Sequence, residues 1–244
     1  MLNLDFTDRI CIVTGGTRGI GAATAKALLQ NGATVIATYA GNDQAAQQFL
    51  AENDNGHLSV QKFNVANYAE CEVFFKGFDA KFPKLDVLVS GAGIRLDAIT
   101  AMMPAENWQK VINVNLTGAF NMAKLACLRM LPNRFGRLIF ITSPMGRIGF
   151  PGQANYAASK AGLVALAKSL AKETAKRGIT ANCISPGFIS TDFIGNLTPE
   201  QTKEYTKMVP ANRFGTPEEV ADAILYLASE QAAYINGTVL EISG

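Results

Sequence analysis

A hydroxyl, a phenol and an ammonium group lie close together in the second half of the chain. Tyr156 and Lys160 are four positions apart at the start of a predicted helix, so their side chains share one helix face. Ser143 ends a predicted strand shortly before them. These groups suit the reduction of a carbonyl by hydride: the serine binds the carbonyl oxygen, the tyrosine donates a proton, and the lysine holds positive charge near the phenol.

Such a mechanism depends on the pKa of the tyrosine. An ordinary tyrosine titrates near pH 10, and moving its pKa to 7 takes roughly 4 kcal/mol. One cation in a partly dry site supplies much of that energy, so we expect Lys160 to lower the pKa of Tyr156. Because Tyr-x-x-x-Lys spacing is common on helix surfaces, the interpretation depends on the other motifs of the chain.

A glycine-rich turn near the N-terminus predicts a phosphate-binding loop. Residues 14–21 read TGGTRGIG and lie between a predicted strand and a predicted helix. Glycines there permit a tight turn and close backbone approach, and helix N-terminal amides face a pyrophosphate. The spacing G-x-x-x-G-x-G differs from the more familiar G-x-G-x-x-G. We expect cofactor contacts from Gly15, Thr17, Arg18, Gly19, Ile20 and Gly21.

The end of the second predicted strand favours NADP(H) over NAD(H). An NAD site usually has a carboxylate there for the ribose hydroxyls, but the first acidic residue after Thr38 is Asp43, beyond the turn. No carboxylate therefore repels a 2′-phosphate, and Arg18 is placed to bind one as a charged donor. A solvated surface arginine is the alternative interpretation of Arg18.

The elements that must position these residues are predicted by apolar segments rich in β-branched residues. They cover residues 10–14, 34–38, 58–63, 86–90, 138–142, 179–185 and 238–242, separated by stretches long enough for helices. Buried parallel strands have this pattern, and right-handed crossovers then give an α/β, doubly wound Rossmann-type sheet with helices on both faces. We expect one domain over residues 1–244.

The least regular stretch, residues 187–209, follows the carboxyl end of a predicted strand, where ligands bind in such sheets. We interpret it as a substrate lid, and an ordinary surface excursion is the alternative. Residues 95–103 are expected to help shape the substrate pocket.

Composition excludes several classes of protein. The 244 residues are 48% hydrophobic and 17% charged, which is typical of a globular protein. A net charge of +2 favours neither nucleic acid nor an anionic membrane as a partner. Without a membrane-length apolar run or a basic signal-like N-terminus, we expect a cytoplasmic protein. Four scattered cysteines and one histidine, His57, predict no metal site.

In their order and separations, the glycine motif, Asn115, Ser143, Tyr156 and Lys160 resemble the short-chain dehydrogenases/reductases over essentially the whole chain. The resemblance implies a Rossmann fold, a nicotinamide cofactor and these four residues as the catalytic set. It also implies that Asn115, in the preceding long helix, is tied to Lys160 through a water. Further cofactor contacts implied by the resemblance are Thr38, Asn64, Val65, Ala92, Gly93, Tyr156, Lys160, Pro186, Gly187, Ile189 and Thr191.

Three segments are most similar to the 3-oxoacyl-(acyl-carrier-protein) reductases of that family: residues 151–162, 185–192 and 234–240. This similarity implies NADPH-dependent reduction of a 3-oxoacyl thioester in fatty-acid or related biosynthesis. It implies that Arg134 and Arg177 contact the acidic carrier protein, with two solvated arginines as the alternative. It also implies a homotetramer in which the helices of the catalytic asparagine and tyrosine pair.

The resemblance leaves alternatives open. Ser90-Gly91 replaces a usual Asn-Asn pair, which removes side-chain hydrogen bonds that brace the central sheet, and Asn64 stands where many relatives have an aspartate. A reductase of acetoacetyl-CoA or of another small ketone would use the same catalytic residues. An NADP-binding sensor without activity is the non-enzymatic alternative, although a sensor needs none of the proton-transfer residues.

Overall fold

The computed structural model describes residues 4–191 and 197–244. Within them, one parallel sheet has the order β3-β2-β1-β4-β5-β6-β7. The chain runs outward from β1 to β3 and returns to place β4 beside β1, which makes the topological switch point. The predicted Rossmann-type fold is confirmed. The strands are β1 Ile10–Thr14, β2 Thr34–Tyr39, β3 Leu58–Lys62, β4 Val87–Ser90, β5 Gly136–Ile141, β6 Ile179–Pro186 and β7 Val239–Ile242.

Helices cover both faces of this sheet. They are α1 Gly19–Gln30, α2 Asp43–Asn53, α3 Tyr68–Asp79, α4 Ala105–Ile112, α5 Gly118–Asn133, α6 Met145–Ile148, α7 Ala154–Thr174, α8 Pro199–Lys207 and α9 Pro217–Ala228. Alternate side chains of each strand face opposite layers: in β1, Ile12 packs with α3, α5 and α7, and Val13 packs with α1 and α9. The apolar runs of the sequence arise because both faces are buried.

The start of β5 differs from the prediction. The strand begins at Gly136, two residues before the predicted boundary, because Arg137 is a buried strand residue. Its guanidinium donates to the carbonyl oxygens of Gly136, Gly178 and Ser229 and lies over the ring of Phe135. Gly178 and Ser229 are distant in the sequence, so an arginine that would be predicted to lie on the surface finds its hydrogen-bond acceptors inside the protein.

A buried carboxylate lies at the amino edge of the sheet. Asp86, at 2% exposure, accepts hydrogen bonds from the Ile10 amide at 2.9 Å and from Arg9 Nη1 at 3.0 Å. Lys84 Nζ lies 3.2 Å from the same carboxylate. The fourth strand was predicted to begin at residue 86, but β4 begins at Val87 and Asp86 precedes it. The contacts of Asp86 join the first residue of β1 to the segment before β4.

Other expectations from composition can be compared with the described residues. All four cysteines are buried and unpaired, and His57 is exposed. No group of three His, Cys, Asp or Glu side chains that could hold a metal occurs within residues 4–191 and 197–244. In the same part of the chain, no helix has the length and hydrophobicity needed to cross a membrane.

Candidate active site

A cleft of about 1000 Å³ opens at the carboxyl ends of the central strands. Its wall contains every residue predicted to contact the cofactor and three of the four predicted catalytic residues. Asn115 is the exception, because it is buried behind that wall at 1% exposure. The predicted residues along the cleft are Gly15, Thr17, Arg18, Gly19, Ile20, Gly21, Thr38, Asn64, Val65, Ala92, Gly93, Ser143, Tyr156, Lys160, Pro186, Gly187, Ile189 and Thr191.

The glycine loop joins β1 to α1 at one end of the cleft. Gly15 has a φ of +67°, which favours glycine. A Cβ on Gly21 would lie 2.1 Å from the Gly15 carbonyl oxygen, so α1 packs directly on the loop. Arg18 is the exposed N-cap residue of α1. The loop therefore presents bare backbone and a helix N-terminus to the cleft, as a pyrophosphate requires.

The part of the cleft wall formed by the end of β2 and the turn after it is neutral. Thr38, Tyr39 and Asn42 line the cleft here, but Asp43 does not. The Asp43 carboxylate accepts a hydrogen bond from Lys62 Nζ at 2.7 Å, which lowers its pKa. Arg18 lines the same cleft, so the positive charge near this end favours a ribose that carries a 2′-phosphate over one that does not.

Asn64 follows β3, and hydrogen bonds hold both its backbone amide and its side chain. Its amide donates to Glu70 Oε2 at 2.7 Å, and its own Oδ1 accepts from the Ala66 amide at 3.0 Å. The side-chain oxygen of Asn64 therefore closes a local turn, while the residue itself lines the cleft.

The predicted catalytic side chains of Ser143, Tyr156 and Lys160 meet where β5 and α7 approach each other. Ser143 follows β5, and its Oγ accepts from the Met145 amide at 3.3 Å. Tyr156 lies in the first turn of α7 and forms a side-chain hydrogen bond with Ser143. Lys160, one turn later, is buried; its Nζ donates to the Ile141 carbonyl oxygen at 2.7 Å and lies 5.4 Å from the centre of the Tyr156 ring.

The pKa values of this group differ from the sequence-based expectation. Desolvation raises the pKa of Tyr156 to about 12, against the opposing effects of the Ser143 hydrogen bond and the charge of Arg95. The Lys160 ammonium group donates to the Ile141 carbonyl oxygen. Desolvation lowers the pKa of Lys160 to about 8. The tyrosine is therefore a protonated acid at neutral pH, and the lysine is the group that titrates near neutrality.

The long helix predicted to hold Asn115 runs without a break from α4 into α5. Residues Asn113–Thr117 form a π-helical turn between α4 and α5. The Asn115 side chain accepts from the Ile94 amide at 2.8 Å and donates to the Ile94 carbonyl oxygen at 3.0 Å and to Ser159 Oγ at 3.1 Å. It thus clamps the segment after β4 to α7.

Gly93 separates this clamp from the lysine. A Cβ at Gly93 would lie 3.4 Å from Asn115 Oδ1 and 3.7 Å from Lys160 Nζ. Beside it, the amides of Gly91 and Ala92 both donate to Thr14 Oγ at 3.1 Å. Hydrogen bonds from these amides to the Thr14 side chain of β1 therefore brace the segment in which Ser90-Gly91 replaces the usual pair of asparagines.

Several residues along the cleft were not assigned from the sequence. Arg95 and Asp97 come from the segment expected to shape the pocket, whereas residues 98–103 do not line the cleft. Gln153 lies in one of the segments that carried the resemblance, which was the signal available for it. Phe188, Leu197 and Tyr205 lie in the predicted lid, and no sequence signal identified Tyr39, Phe63, Lys110, Val114, Met145 or Phe150.

The predicted lid is only partly described. Residues 192–196 lie outside the described residues, while Gly187, Ile189 and Thr191 line the cleft. Helix α8, farther along, contains no buried residue. It contacts the cleft wall through Tyr205, whose ring stacks on Phe188 at 5.1 Å.

Arg134 and Arg177 lie far from this cleft. Arg134 follows α5 and precedes β5, and Arg177 precedes β6, so both are at the amino edge of the sheet. They are exposed and adjacent, since Arg134 Nη2 donates to the Lys176 carbonyl oxygen at 3.1 Å. The length of β5, about 20 Å, separates them from the cleft at the carboxyl edge of the same chain.

A glycine loop at the switch point of a parallel sheet, with a tyrosine acid across the same cleft, defines a dinucleotide-dependent oxidoreductase. Comparisons with known proteins agree with this class. Residues 15–244 match a family model described as enoyl-(acyl carrier protein) reductase. The chain belongs to the short-chain dehydrogenase/reductase family.

Individual relatives extend over the whole length. The chain is 44% identical to a 3-oxoacyl-(acyl-carrier-protein) reductase of Synechocystis, covering 98% of this chain and 96% of the relative. It is 41% identical to the protein of the same name from Escherichia coli, covering 99% and 98%. A solved structure from Agrobacterium tumefaciens, described as a gluconate dehydrogenase, superposes with a TM-score of 0.96 at 30% identity and covers 100% and 98% of the two chains.

Proposed function

We propose that this oxidoreductase reduces a 3-oxoacyl thioester carried on acyl carrier protein to the 3-hydroxyacyl product, using NADPH. The arrangement of Ser143, Tyr156 and Lys160 in one cleft with the glycine loop is the observation that carries the proposal. The relatives named above support the substrate class. A sensor would not need the proton-transfer residues, and the family assignment supports an enzyme.

Ser143, Tyr156 and Lys160 each have a separate role in the carbonyl reduction. When bound, NADPH would supply the hydride that reduces carbon 3 of the substrate. Ser143 and Tyr156 hydrogen-bond the carbonyl oxygen, and the Tyr156 proton passes to that oxygen as it gains negative charge. Lys160 provides positive charge beside the phenolate that remains, and Tyr156 recovers its proton from solvent.

The cofactor residues fit NADP(H). The bare backbone at Gly15 and Gly21 accommodates a pyrophosphate, and a side chain at Gly93 would occupy space beside Lys160. The absence of an acidic side chain along the described wall after β2, together with the exposed Arg18, favours a 2′-phosphate. Residues 187–209 would close over the bound substrate as a lid, since α8 buries none of its side chains.

We also propose a homotetramer and a carrier-protein site at Arg134 and Arg177. Three large apolar side chains on α4 and α5 are exposed, Trp108, Phe120 and Leu128, and a second copy would cover them. Since the two arginines lie at the amino edge, a carrier protein docked there would serve the cleft of another copy. Four buried free cysteines suit a reducing compartment, and we propose the cytoplasm.

The test compares one 3-oxoacyl chain attached to carrier protein or to coenzyme A, with initial rates measured for NADPH and NADH. We expect the highest kcat/KM for NADPH with the carrier-linked substrate. Reduction of small ketones with neither thioester would reject the acyl substrate and retain the catalytic residues.

A small polar ketone is the second candidate substrate. The superposition on the protein described as a gluconate dehydrogenase favours it, because the two chains share their architecture over almost their whole length. A sugar-acid ketone included in the same assay distinguishes the two candidates: reduction of it alone supports the second.

A further inference from the structure

An arginine that takes no part in the proposed proton transfer lies on the cleft wall near the reacting groups. Arg95 follows β4 and lines the cleft with Asp97 and Gln153. Arg95 Nε lies 3.2 Å from Asp97 Oδ2, and Gln153 Nε2 donates to the same oxygen at 3.1 Å. Gln153 is buried and is the N-cap residue of α7, three positions before Tyr156. This chain of contacts fixes the guanidinium relative to the catalytic helix.

The backbone on both sides of Arg95 is also held. Asn115 clamps the amide and carbonyl of Ile94. Asn155 Nδ2 donates to the Leu96 carbonyl oxygen at 3.0 Å. The Ala98 amide donates to the Gly152 carbonyl oxygen at 2.9 Å. A side chain on such a fixed segment loses little further freedom when it binds a substrate group.

The charge of Arg95 acts on the reacting oxygen. Among the charged groups near Tyr156, Arg95 has the largest effect on the pKa of the phenol, which it lowers, and Asp97 opposes it. The guanidinium is therefore within electrostatic reach of the position where the substrate carbonyl is reduced.

A 3-oxoacyl thioester presents two carbonyl oxygens in a 1,3 relation, and Tyr156 with Ser143 binds only one of them. A guanidinium has five N–H donors in a planar arrangement that suits oxygen acceptors. We propose that Arg95 binds the thioester carbonyl oxygen and so selects 3-oxoacyl thioesters over ketones that lack a second carbonyl. This inference rests on the proposed function and identifies the residue that recognises the thioester group of the substrate.

The test uses two matched substrates: the acetoacetyl thioester of N-acetylcysteamine, and the thioether in which a methylene replaces the thioester carbonyl. The Arg95→Gln variant is expected to lower kcat/KM for the thioester by about 10- to 100-fold, the value of one charged hydrogen bond. Its kcat/KM for the thioether should fall much less, because that substrate loses only the effect of the charge on Tyr156. Arg95→Lys, which keeps the charge and loses the planar donor set, should fall between wild type and Arg95→Gln on the thioester.

Two controls make the result decisive. Arg147→Gln removes an exposed arginine that pairs with Glu241 outside the cleft, and both substrates should be reduced as by the wild type. NADPH binding followed by fluorescence reports whether each variant is folded. Equal loss on both substrates, or no loss on the thioester, would overturn the role of Arg95. A wild-type protein that reduces only the thioether would instead reject the proposed function, and the inference with it.

Discussion

Tyr156 is the residue whose chemistry the structure defines most closely. Desolvation keeps its pKa near 12, so the phenol carries a proton throughout the neutral range and can act as an acid. The sequence indicates which residues meet, because a four-residue helical spacing is local. It does not indicate the pKa, since burial and the direction of the Lys160 ammonium depend on β5 and on the cleft walls.

Replacing Tyr156 by Phe should lower kcat for reduction by about 10²- to 10⁴-fold, because the general acid is lost. NADPH binding, measured by fluorescence titration, should stay close to that of the wild type, since the ring remains in place. Turnover at the wild-type rate would show that another group donates the proton.

Arg18 should determine the choice of cofactor. The Arg18→Ala variant should raise KM for NADPH about tenfold or more and leave KM for NADH almost unchanged, because only NADPH carries the 2′-phosphate that a charged donor would bind. Initial-rate kinetics with each cofactor measure this. A parallel rise in both KM values would contradict a phosphate contact.

Lys160 should reduce the stability of the folded protein at neutral pH. Its folded pKa of about 8 is below its value of 10.5 in an unfolded chain, so the unfolded state binds more protons between these values. The cost of burying the charge, roughly 3 kcal/mol, is full below pH 8 and is lost as pH rises towards 10.5. We expect Lys160→Met to be inactive but more stable at pH 7, by about 2 kcal/mol once the lost hydrogen bond to Ile141 is subtracted.

Urea unfolding at pH 7 and at pH 10.5 tests this expectation, and the gain should disappear at the higher pH. Lys168→Met, at an exposed position on the same helix, is the matched control and should change little at either pH. Equal destabilisation of Lys160→Met at both pH values would show that the lysine is not a buried charge.

At the scale of elements, the strands are well predicted and the junctions less so. Both faces of each central strand are covered, which leaves a continuous apolar run in the sequence. The exceptions are tertiary: Arg137 extends β5 because distant carbonyls accept its N–H groups, and the π-helical turn at Asn113–Thr117 accompanies the clamp of Asn115 on Ile94. Neither partner set is visible in a local pattern.

The amino edge offers a test of element packing. Asp86→Ala should lower the free energy of unfolding by about 3–5 kcal/mol, because it leaves Arg9 and the Ile10 amide without their buried acceptor. Urea unfolding would measure this loss, and the dependence of the free energy of unfolding on urea concentration should stay the same. Asp43→Ala, which removes an exposed pair with Lys62, is the control and should leave the midpoint unchanged. Similar midpoints for both variants would show that the buried contacts of Asp86 add little.

At the scale of the whole molecule, the position of Arg134 and Arg177 determines how the proposed carrier-protein site relates to the cleft. Sequence resemblance selects the two residues but does not say on which edge of the sheet they lie. The structure puts them opposite the cleft, so the proposed docking site would couple two copies of the chain.

Replacing both arginines by Ala should raise KM for a carrier-linked substrate by about tenfold and leave KM for the coenzyme A thioester nearly unchanged, because an exposed basic patch chiefly affects association with an acidic partner. In heterotetramers, a catalytically inactive chain with intact arginines should restore the low KM to an active chain that lacks them. Equal loss on both substrates, or no rescue, would contradict docking between copies.

The π-helical turn also has a consequence for how the sequence can change. A π-helical turn holds one residue more than an α-helical turn, so deleting one residue from Asn113–Thr117 would convert it to regular α-helix without turning α5 about its axis. Met122 and Met130 would stay in the core, and exposed side chains such as Leu128 would stay outside it. The extra residue therefore sets the position of Asn115, while the packing of α5 does not depend on it. A deletion there would remove the clamp of Asn115 on Ile94 from a protein that still folds, so activity requires this turn and the core does not.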